Sequence, residues 1–164
     1  MTNVTLKKRS EGFTIIEVLI VLAIAGLIML IVFLAVPALQ RNSRNTQRKA
    51  DVSAVLGAWA EFVNNNNGTQ PSRIDQVSGS DFAACTGTTA CTATSGAPFK
   101  MGYYNTLTAV PVGTSAPTLT QAAPIAVVTG ATCNGNTAAT GASGRNIAVI
   151  YLIEPGTTAQ CQAS

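Results

Sequence analysis

The chain contains one long apolar run, from Phe13 to Leu39, in which only Thr14 and Glu17 are polar. A helix rises about 1.5 Å per residue, so a run of this length spans a hydrocarbon core of about 30 Å. An ordinary secretory signal has a shorter apolar region with its cleavage site on the far side. The pattern therefore predicts a transmembrane helix at residues 13–40, preceded by a polar leader at residues 1–12.

Two residues interrupt the helix-forming composition of this run. Pro37 removes a backbone donor and clashes with the preceding turn, which predicts a kink or local melting near it. Gly26 weakens the helix and lets another backbone approach closely. Gly26 and Pro37 are therefore the candidate kink positions of the helix.

From residue 41 to residue 64 the pattern predicts an amphipathic helix. Apolar side chains recur at spacings of three and four and form one stripe, Val52, Val55, Leu56, Trp59, Phe62 and Val63. The cations of this segment are expected to be solvated near lipid headgroups, and they are Arg41, Arg44, Arg48 and Lys49. The run of turn formers from Asn64 to Gly68 predicts the end of the helix at a left-handed cap.

The residues beyond the helix are rich in Thr, Ala, Gly and Ser and predict a small β-sheet. The strand-like segments are residues 124–129, 146–153 and, more weakly, 102–112. Tyr103 and Tyr104 would face opposite sides of the weak strand. Residues 130–145 predict a long loop or a hairpin connection with little regular structure.

These elements together predict an α+β fold with one long N-terminal helix. Its apolar half would protrude, and its amphipathic half would pack on three or four antiparallel strands. The globular head would then comprise residues 41–164. Trp59 and Phe62 are expected to lie in the core between helix and sheet.

The charged residues do not change this prediction of the fold. They are concentrated at the two ends of the apolar run. The formal net charge is +3, and Lys7, Lys8 and Arg9 precede the run. Beyond Asn64 the chain carries three charges of each sign and is neutral. A nucleic-acid-binding protein usually has a basic patch on its folded part, so no nucleic-acid site is predicted.

The composition does not favour an enzyme. Histidine, the commonest general base, is absent from the sequence. A Ser/His/Asp set, a Cys/His pair and a phosphate loop are also missing, so neither a catalytic residue nor a cofactor is expected. Asp75 and Asp81 could join a calcium loop, but they lack a DxDxDG-like cluster, and no metal site is predicted.

All four cysteines lie in the predicted head, at Cys85, Cys91, Cys133 and Cys161. An even number in a small head behind an export signal favours two disulfides over zinc, since no CxxC pair and no histidine are present. Three connectivities are possible. We favour Cys85–Cys91, which closes a short local loop, with Cys133–Cys161, which brackets the last strand.

The segment from Lys7 to Ile20 resembles the class III signal of type IV pilins and their pseudopilin relatives. The family pattern is a basic leader ending in glycine, then phenylalanine, threonine, two aliphatic residues, glutamate and a long apolar helix. Gly12, Phe13, Thr14 and Glu17 stand in that register. The resemblance covers about the first fifty residues, and the head resembles pilin heads only in general plan.

This resemblance implies a processing event and a place for each matching residue. A prepilin peptidase would cut between Gly12 and Phe13 on the cytoplasmic side and N-methylate the new amine of Phe13. Gly26 falls where these helices commonly carry a glycine. The usual helix-breaking proline of the family corresponds to Leu34 here, so the departure to Pro37 leaves open where the helix would melt on assembly.

Glu17 is the charged residue of the apolar run, and its burial needs a reason. A carboxylate in hydrocarbon costs several kcal/mol. After cleavage, the amine of Phe13 becomes a cation four residues before Glu17, and Glu17 of the same or a neighbouring subunit can neutralise it. Unpaired charge would then penalise any slip in register. The alternative is a Glu17 that snorkels to the membrane surface without an assembly role.

The resemblance implies a structural subunit of a type IV pilus, held in the cytoplasmic membrane with its head outside and then polymerised into an extracellular fibre. Its partners would be prepilin peptidase, the assembly platform and ATPase machinery, the membrane and further copies of itself. Motility, adhesion and DNA uptake all use such fibres. The alternatives are a pseudopilin or minor pilin of a type II secretion or competence system and, in another class, a membrane-anchored enzyme.

Overall fold

The computed structural model describes residues 12–93, 96–142, 144–155 and 158–164. The predicted leader, apart from Gly12, lies outside these residues. The first element is helix α1, Ile15–Asn65, which continues without a break through Pro37. The local melting predicted there is therefore absent from this structure, and the kink stays a prediction.

Helix α1 ends where the turn-forming run predicts. Asn67 and Gly68 have φ angles of 52° and 83°, in the left-handed region that suits asparagine and glycine. The amide of Gly68 donates to the carbonyl oxygen of Val63 at 2.8 Å, which satisfies one of the carbonyls left free at the helix end.

The chain divides into two compact units, Met1–Gln40 and Arg41–Ser164. In the first unit, the large apolar side chains from Phe13 to Leu39 are exposed. Helix α1 is long and apolar enough to cross a membrane by length and composition. An apolar surface of this extent requires lipid or other protein around it.

The second unit contains two four-stranded sheets and a separate hairpin. The first sheet is antiparallel and runs β3-β2-β1-β4, with β1 Arg73–Ser78, β2 Asp81–Cys85, β3 Ala97–Lys100 and β4 Ala109–Val110. The second sheet runs β10-β9-β6-β5, with β5 Val112–Gly113, β6 Ile125–Thr129, β9 Ile147–Ile153 and β10 Thr158–Ala163. Strand β5 is parallel to β6, and the other pairs of this sheet are antiparallel. The hairpin pairs β7, Ala131–Asn134, with β8, Thr137–Thr140.

Strands β6 and β9 confirm the two strongest strand predictions. The prediction of three or four strands is wrong, because the described residues contain ten. The weak strand at residues 102–112 is also wrong in its first part, where the chain forms bends and turns that include Tyr103 and Tyr104. Strands such as β1 and β10 mix charged or amide side chains with apolar ones, so their residue pattern alone does not identify them.

The main core confirms the predicted stripe on the helix. Val52, Val55, Trp59 and Phe62 are buried against residues of both sheets. Strand β6 divides its side chains between two cores: Ile125 and Val127 belong to the main core, whereas Ala126 and Val128 belong to a second one. The second core also includes Ala131 of the hairpin, which explains why β6 is apolar on both faces.

Two disulfides connect parts of the head. Cys85 at the end of β2 is bonded to Cys91, six residues further along the chain. Cys133 of β7 is bonded to Cys161 of β10, across a separation of 28 residues. Both predicted pairs are confirmed, and the second pair attaches the hairpin to the edge strand of the second sheet.

Candidate functional site

The predicted cleavage position lies directly ahead of helix α1. Gly12 and Phe13 precede the first helical residue, and the side chain of Phe13 is 89% exposed. A Cβ placed on Gly12 would meet nothing within 4 Å among its described neighbours. The peptide bond between Gly12 and Phe13 is therefore not covered by any described part of the chain.

Thr14 and Glu17 form a capping box at the start of α1. The amide and the hydroxyl of Thr14 both donate to Oε2 of Glu17 at 2.8 Å. The amide of Glu17 donates to Oγ1 of Thr14 at 3.3 Å, and the carbonyl oxygen of Thr14 accepts from the amide of Val18. This reciprocal arrangement satisfies amide groups that the first turn of a helix leaves without a partner.

The capping box gives Glu17 a second role, beside its predicted pairing with the Phe13 amine. The pattern Thr14-Ile15-Ile16-Glu17 ahead of an apolar run is a sequence signal for such a cap. Its bonds use Oε2 of Glu17, and the other carboxylate oxygen has no hydrogen-bond partner within the described chain. One oxygen of this exposed carboxylate thus remains available to an external cation.

Gly26, a candidate kink position of the helix, has open space around it. A Cβ on Gly26 would meet nothing within 4 Å in the described chain, so a second helix could approach closely there. The exposed apolar side chains around it have no cover in this part of the chain. The first unit thus combines an accessible predicted cleavage position, a carboxylate in a capping box and an apolar surface that the described residues leave uncovered.

A second polar site lies in the head, where Asp51 of α1 is 5% exposed. Its carboxylate accepts three consecutive backbone amides: Oδ1 from Gly102 at 2.8 Å, and Oδ2 from Tyr103 at 2.8 Å and Tyr104 at 3.0 Å. A charged acceptor is well suited to three converging amides. Asp51 therefore attaches the helix to the loop after β3.

Arg48, one turn earlier, corrects the prediction that the cations of this segment are solvated. It is 6% exposed, and Nη1 donates to the carbonyl oxygen of Leu152 at 2.8 Å. Nη2 donates to the Tyr103 hydroxyl and lies 3.2 Å from Oε1 of Glu154. The guanidinium carbon lies 4.3 Å from the centre of the Tyr103 ring. Sequence spacing missed this burial, because the partners of Arg48 lie more than fifty residues away along the chain.

Glu154 also pairs with Arg44, whose Nε and Nη2 donate to the two carboxylate oxygens at 2.6 and 2.7 Å. This bidentate bond, together with the nearby guanidinium charges, holds the pKa of Glu154 below its ordinary value. The same bond raises the pKa of Arg44. Burial raises the pKa of the Tyr104 hydroxyl, which lines the same region.

The two acids considered for calcium are occupied by cations. Arg73 Nε lies 3.0 Å from Asp75, and Lys100 Nζ lies 3.7 Å from Asp81. Asp75 also lies close to the sulfur atoms of Cys85 and Cys91. Since those two cysteines form a disulfide, they offer no thiolate for a metal.

Residues 7–33 match the family model of the prokaryotic N-terminal methylation motif. No curated protein matches the chain, and no solved structure matches it. The matched residues include Gly12, Phe13, Thr14 and Glu17. The motif is the class III signal of type IV pilins, so the N-terminal part of the chain carries the type IV pilin signature. Proteins with this signature are structural subunits, and the motif supports a pilin-like or pseudopilin-like prepilin.

Proposed function

We propose that this chain is the structural subunit of a type IV pilus. It is inserted in the cytoplasmic membrane through the apolar part of α1, with its head outside, and polymerises into an extracellular fibre. The observation that carries the proposal is the methylation motif at residues 7–33, which runs directly into an apolar helix surface without cover in the described chain.

The first step is processing by prepilin peptidase. The enzyme hydrolyses the peptide bond between Gly12 and Phe13 on the cytoplasmic side, and the new amine of Phe13 is methylated. The absence of any described neighbour around Gly12 supports access to this bond. Glycine has no Cβ, so the backbone at this position can come close to catalytic carboxylates.

The second step is assembly, in which Glu17 sets the axial register. The new Phe13 cation needs an anion once both are removed from water, and Glu17 is the carboxylate at that depth. Oε2 of Glu17 is bound by Thr14, whereas Oε1 is free to accept a bond from the amine of a neighbouring subunit. A slip along the helix would leave buried charge unpaired, which penalises every incorrect register.

The apolar surface from Phe13 to Leu39 supplies the attraction between subunits. In the membrane, lipid tails cover these side chains, and in the fibre the helices of other copies replace the lipid. The partners are thus prepilin peptidase, further copies of the chain, and the assembly platform and ATPase that extract subunits from the membrane.

The same motif occurs in pseudopilins, so a subunit of a secretion or competence system is the alternative function. Isolation of surface fibres and sequencing of their main subunit separates the two. We expect this chain, beginning at Phe13, to be the main component of the fibres. Confinement to the membrane, with fibres made of another protein, would reject the proposal.

The cleavage assignment is tested with Gly12→Leu. A bulky side chain at the scissile bond should leave uncut precursor in the membrane, which intact mass spectrometry detects by the extra mass of the leader. Gly57→Leu is the matched control, because a Cβ there also meets nothing within 4 Å and the position is remote from the motif. A mature N-terminus at Phe13 in Gly12→Leu would refute the assignment.

A further inference from the structure

A polar cleft of about 520 Å³ lies in the head, in a size range typical of small-ligand sites. One wall is the part of α1 that begins at Arg41, and the other includes Tyr103 and Tyr104. The charged residues that line it are three arginines and one acid, Arg41, Arg44, Arg48 and Glu154.

The charges in this cleft do not balance. Glu154 is held by Arg44 at 2.6 Å and by Arg48 at 3.2 Å, so its single negative charge is already shared between two cations. Arg41 is exposed and has no ion pair within the described parts of the chain, yet its charge reaches Glu154 and lowers the pKa of that carboxyl. The cleft therefore carries a net charge of about +2 at neutral pH, since arginine is always protonated.

Three residues that line the cleft carry a partly exposed guanidinium or a buried polar atom that is unpartnered within the described chain. The side chain of Arg44 is 43% exposed, although Glu154 occupies one edge of its guanidinium. The buried Nε of Arg48 and the buried hydroxyl of Tyr104 have no hydrogen-bond partner in the described residues. An anion with several oxygens, such as a phosphate, suits planar guanidinium donors of this kind.

The location of Arg41 in the chain indicates where this anion comes from. Arg41 follows almost directly on the apolar run that ends at Leu39. If the run fills the hydrocarbon, the next residues lie at the level of the lipid headgroups. Cations normally accumulate on the cytoplasmic side of a membrane helix, so an unpaired Arg41 on the outer side is not explained by orientation alone.

We propose that this cleft binds the phosphate of an anionic phospholipid headgroup while the precursor resides in the membrane. Arg41 and the exposed edge of Arg44 donate to the phosphate oxygens. The half-buried Tyr103, stacked on Arg48, provides the aromatic contact common at membrane interfaces. The proposal rests on the membrane-inserted precursor described above and adds a lipid partner to it.

The experiment uses the full-length precursor purified in a neutral detergent. Micelles are doped with phosphatidylglycerol or with phosphatidylcholine, and native mass spectrometry measures the retained lipid. We expect retention of phosphatidylglycerol over phosphatidylcholine. Arg41→Gln should weaken phosphatidylglycerol binding by about fivefold, the effect of one basic residue at a membrane surface.

Lys49→Gln is the matched control, because it removes the same charge from an exposed position of the same helix that does not line the cleft. Equal losses in both variants would overturn the proposal in favour of diffuse surface charge. If millimolar inorganic phosphate saturates the cleft and the two lipids are retained equally, the lipid proposal is overturned and the ligand is a soluble anion. If Arg41→Gln retains lipid as the wild-type chain does but forms no fibres, the proposal is overturned and the cleft is assigned to a neighbouring subunit.

Membrane fractionation of the same variants separates this proposal from the function on which it rests. A wild-type chain found in the membrane but without lipid preference rejects the lipid site alone. A wild-type chain absent from the membrane rejects the proposed function as well.

Discussion

At the scale of single residues, the carboxylate of Glu17 has two roles. Through Oε2 it caps the helix together with Thr14, and a cap of this kind contributes about 1 kcal/mol to helix stability. Through its charge it is proposed to pair with the Phe13 amine in the fibre. The two roles can be separated, because a neutral amide retains the first and loses the second.

We therefore predict different outcomes for two substitutions at Glu17. Glu17→Val removes cap and charge, and it should be inserted and cleaved but assemble poorly. Glu17→Gln keeps an acceptor for the capping box, so its helix should start normally while assembly is still lost. Cleavage is measured by intact mass and fibre yield by sedimentation of sheared surface fractions. Normal fibres from either variant would refute the register role of the charge.

Asp51 joins the helix to the loop after β3 through three hydrogen bonds. Asp51→Ala leaves the amides of Gly102, Tyr103 and Tyr104 without their acceptor, and we expect a loss of about 2–4 kcal/mol in the free energy of unfolding. Urea unfolding of the full chain in neutral detergent measures it, with the single tryptophan, Trp59, as the fluorescent probe.

Asp81→Asn provides the comparison for Asp51. Asp81 is partly exposed and pairs with Lys100 at 3.7 Å, so its loss should cost less than about 1 kcal/mol. Similar costs for Asp51→Ala and Asp81→Asn would mean that the three amides find other partners, and that Asp51 is not required for attachment.

At the scale of elements, short strands are held together by a helix and two disulfides. Strand β4 has two residues and β5 has two, and strands this short contribute little pairing of their own. The helix stripe shares one core with residues of both sheets. The Cys133–Cys161 disulfide then attaches the hairpin over the second core, which the helix does not reach.

The two disulfides should differ in their contribution to stability. The chain-entropy relation gives about 2 kcal/mol for the separation of 6 residues and about 3.5 kcal/mol for the separation of 28. We expect the double variant Cys133→Ala/Cys161→Ala to lower the free energy of unfolding more than Cys85→Ala/Cys91→Ala. Urea unfolding of both in the same detergent tests the order, and the reverse order would contradict the loop-length argument.

At the scale of the whole molecule, the head is closed by contacts between α1 and the end of β9. Arg44 and Arg48 bind Glu154, and the amide of Glu154 donates to Oδ1 of Asn45 at 2.9 Å. These contacts join positions more than one hundred residues apart in sequence. They combine a partly exposed ion pair with buried bonds, so the stability of the head should depend on pH.

The direction of this dependence follows from Glu154, whose pKa is lowered in the folded state from its ordinary value of 4.5. Its contribution is present above that value and is lost as the pH falls through the lower, folded pKa. We expect the midpoint temperature of thermal unfolding to decrease when the pH is lowered from 6 to 3. The decrease should be smaller in Glu154→Gln. Thermal unfolding followed by Trp59 fluorescence measures both chains. An equal fall in both would assign the acid sensitivity to other carboxylates.

Local patterns in the sequence determined the elements that depend on neighbours in the chain. The spacing of Val52, Val55 and Trp59 was sufficient to place a buried helix face, because three- and four-residue intervals align side chains geometrically. The apolar runs of β6 and β9 identified two strands in the same way. The register of Gly12, Phe13 and Glu17 identified the methylation motif, whose match needs no folded head.

Only the tertiary structure decided which polar side chains are buried and which weak strands pair. Arg48 and Asp51 look like solvated helix residues in sequence, yet their partners are Leu152 and the amides of residues 102–104, brought close by the packing of the whole head. Strands β1 to β3 form because neighbouring strands supply each other's backbone hydrogen bonds and cross-strand side-chain contacts. The residue pattern of one segment alone does not show this stabilisation. The sequence thus determined the helix and its signal, while long-range contacts decided the head and its cationic cleft.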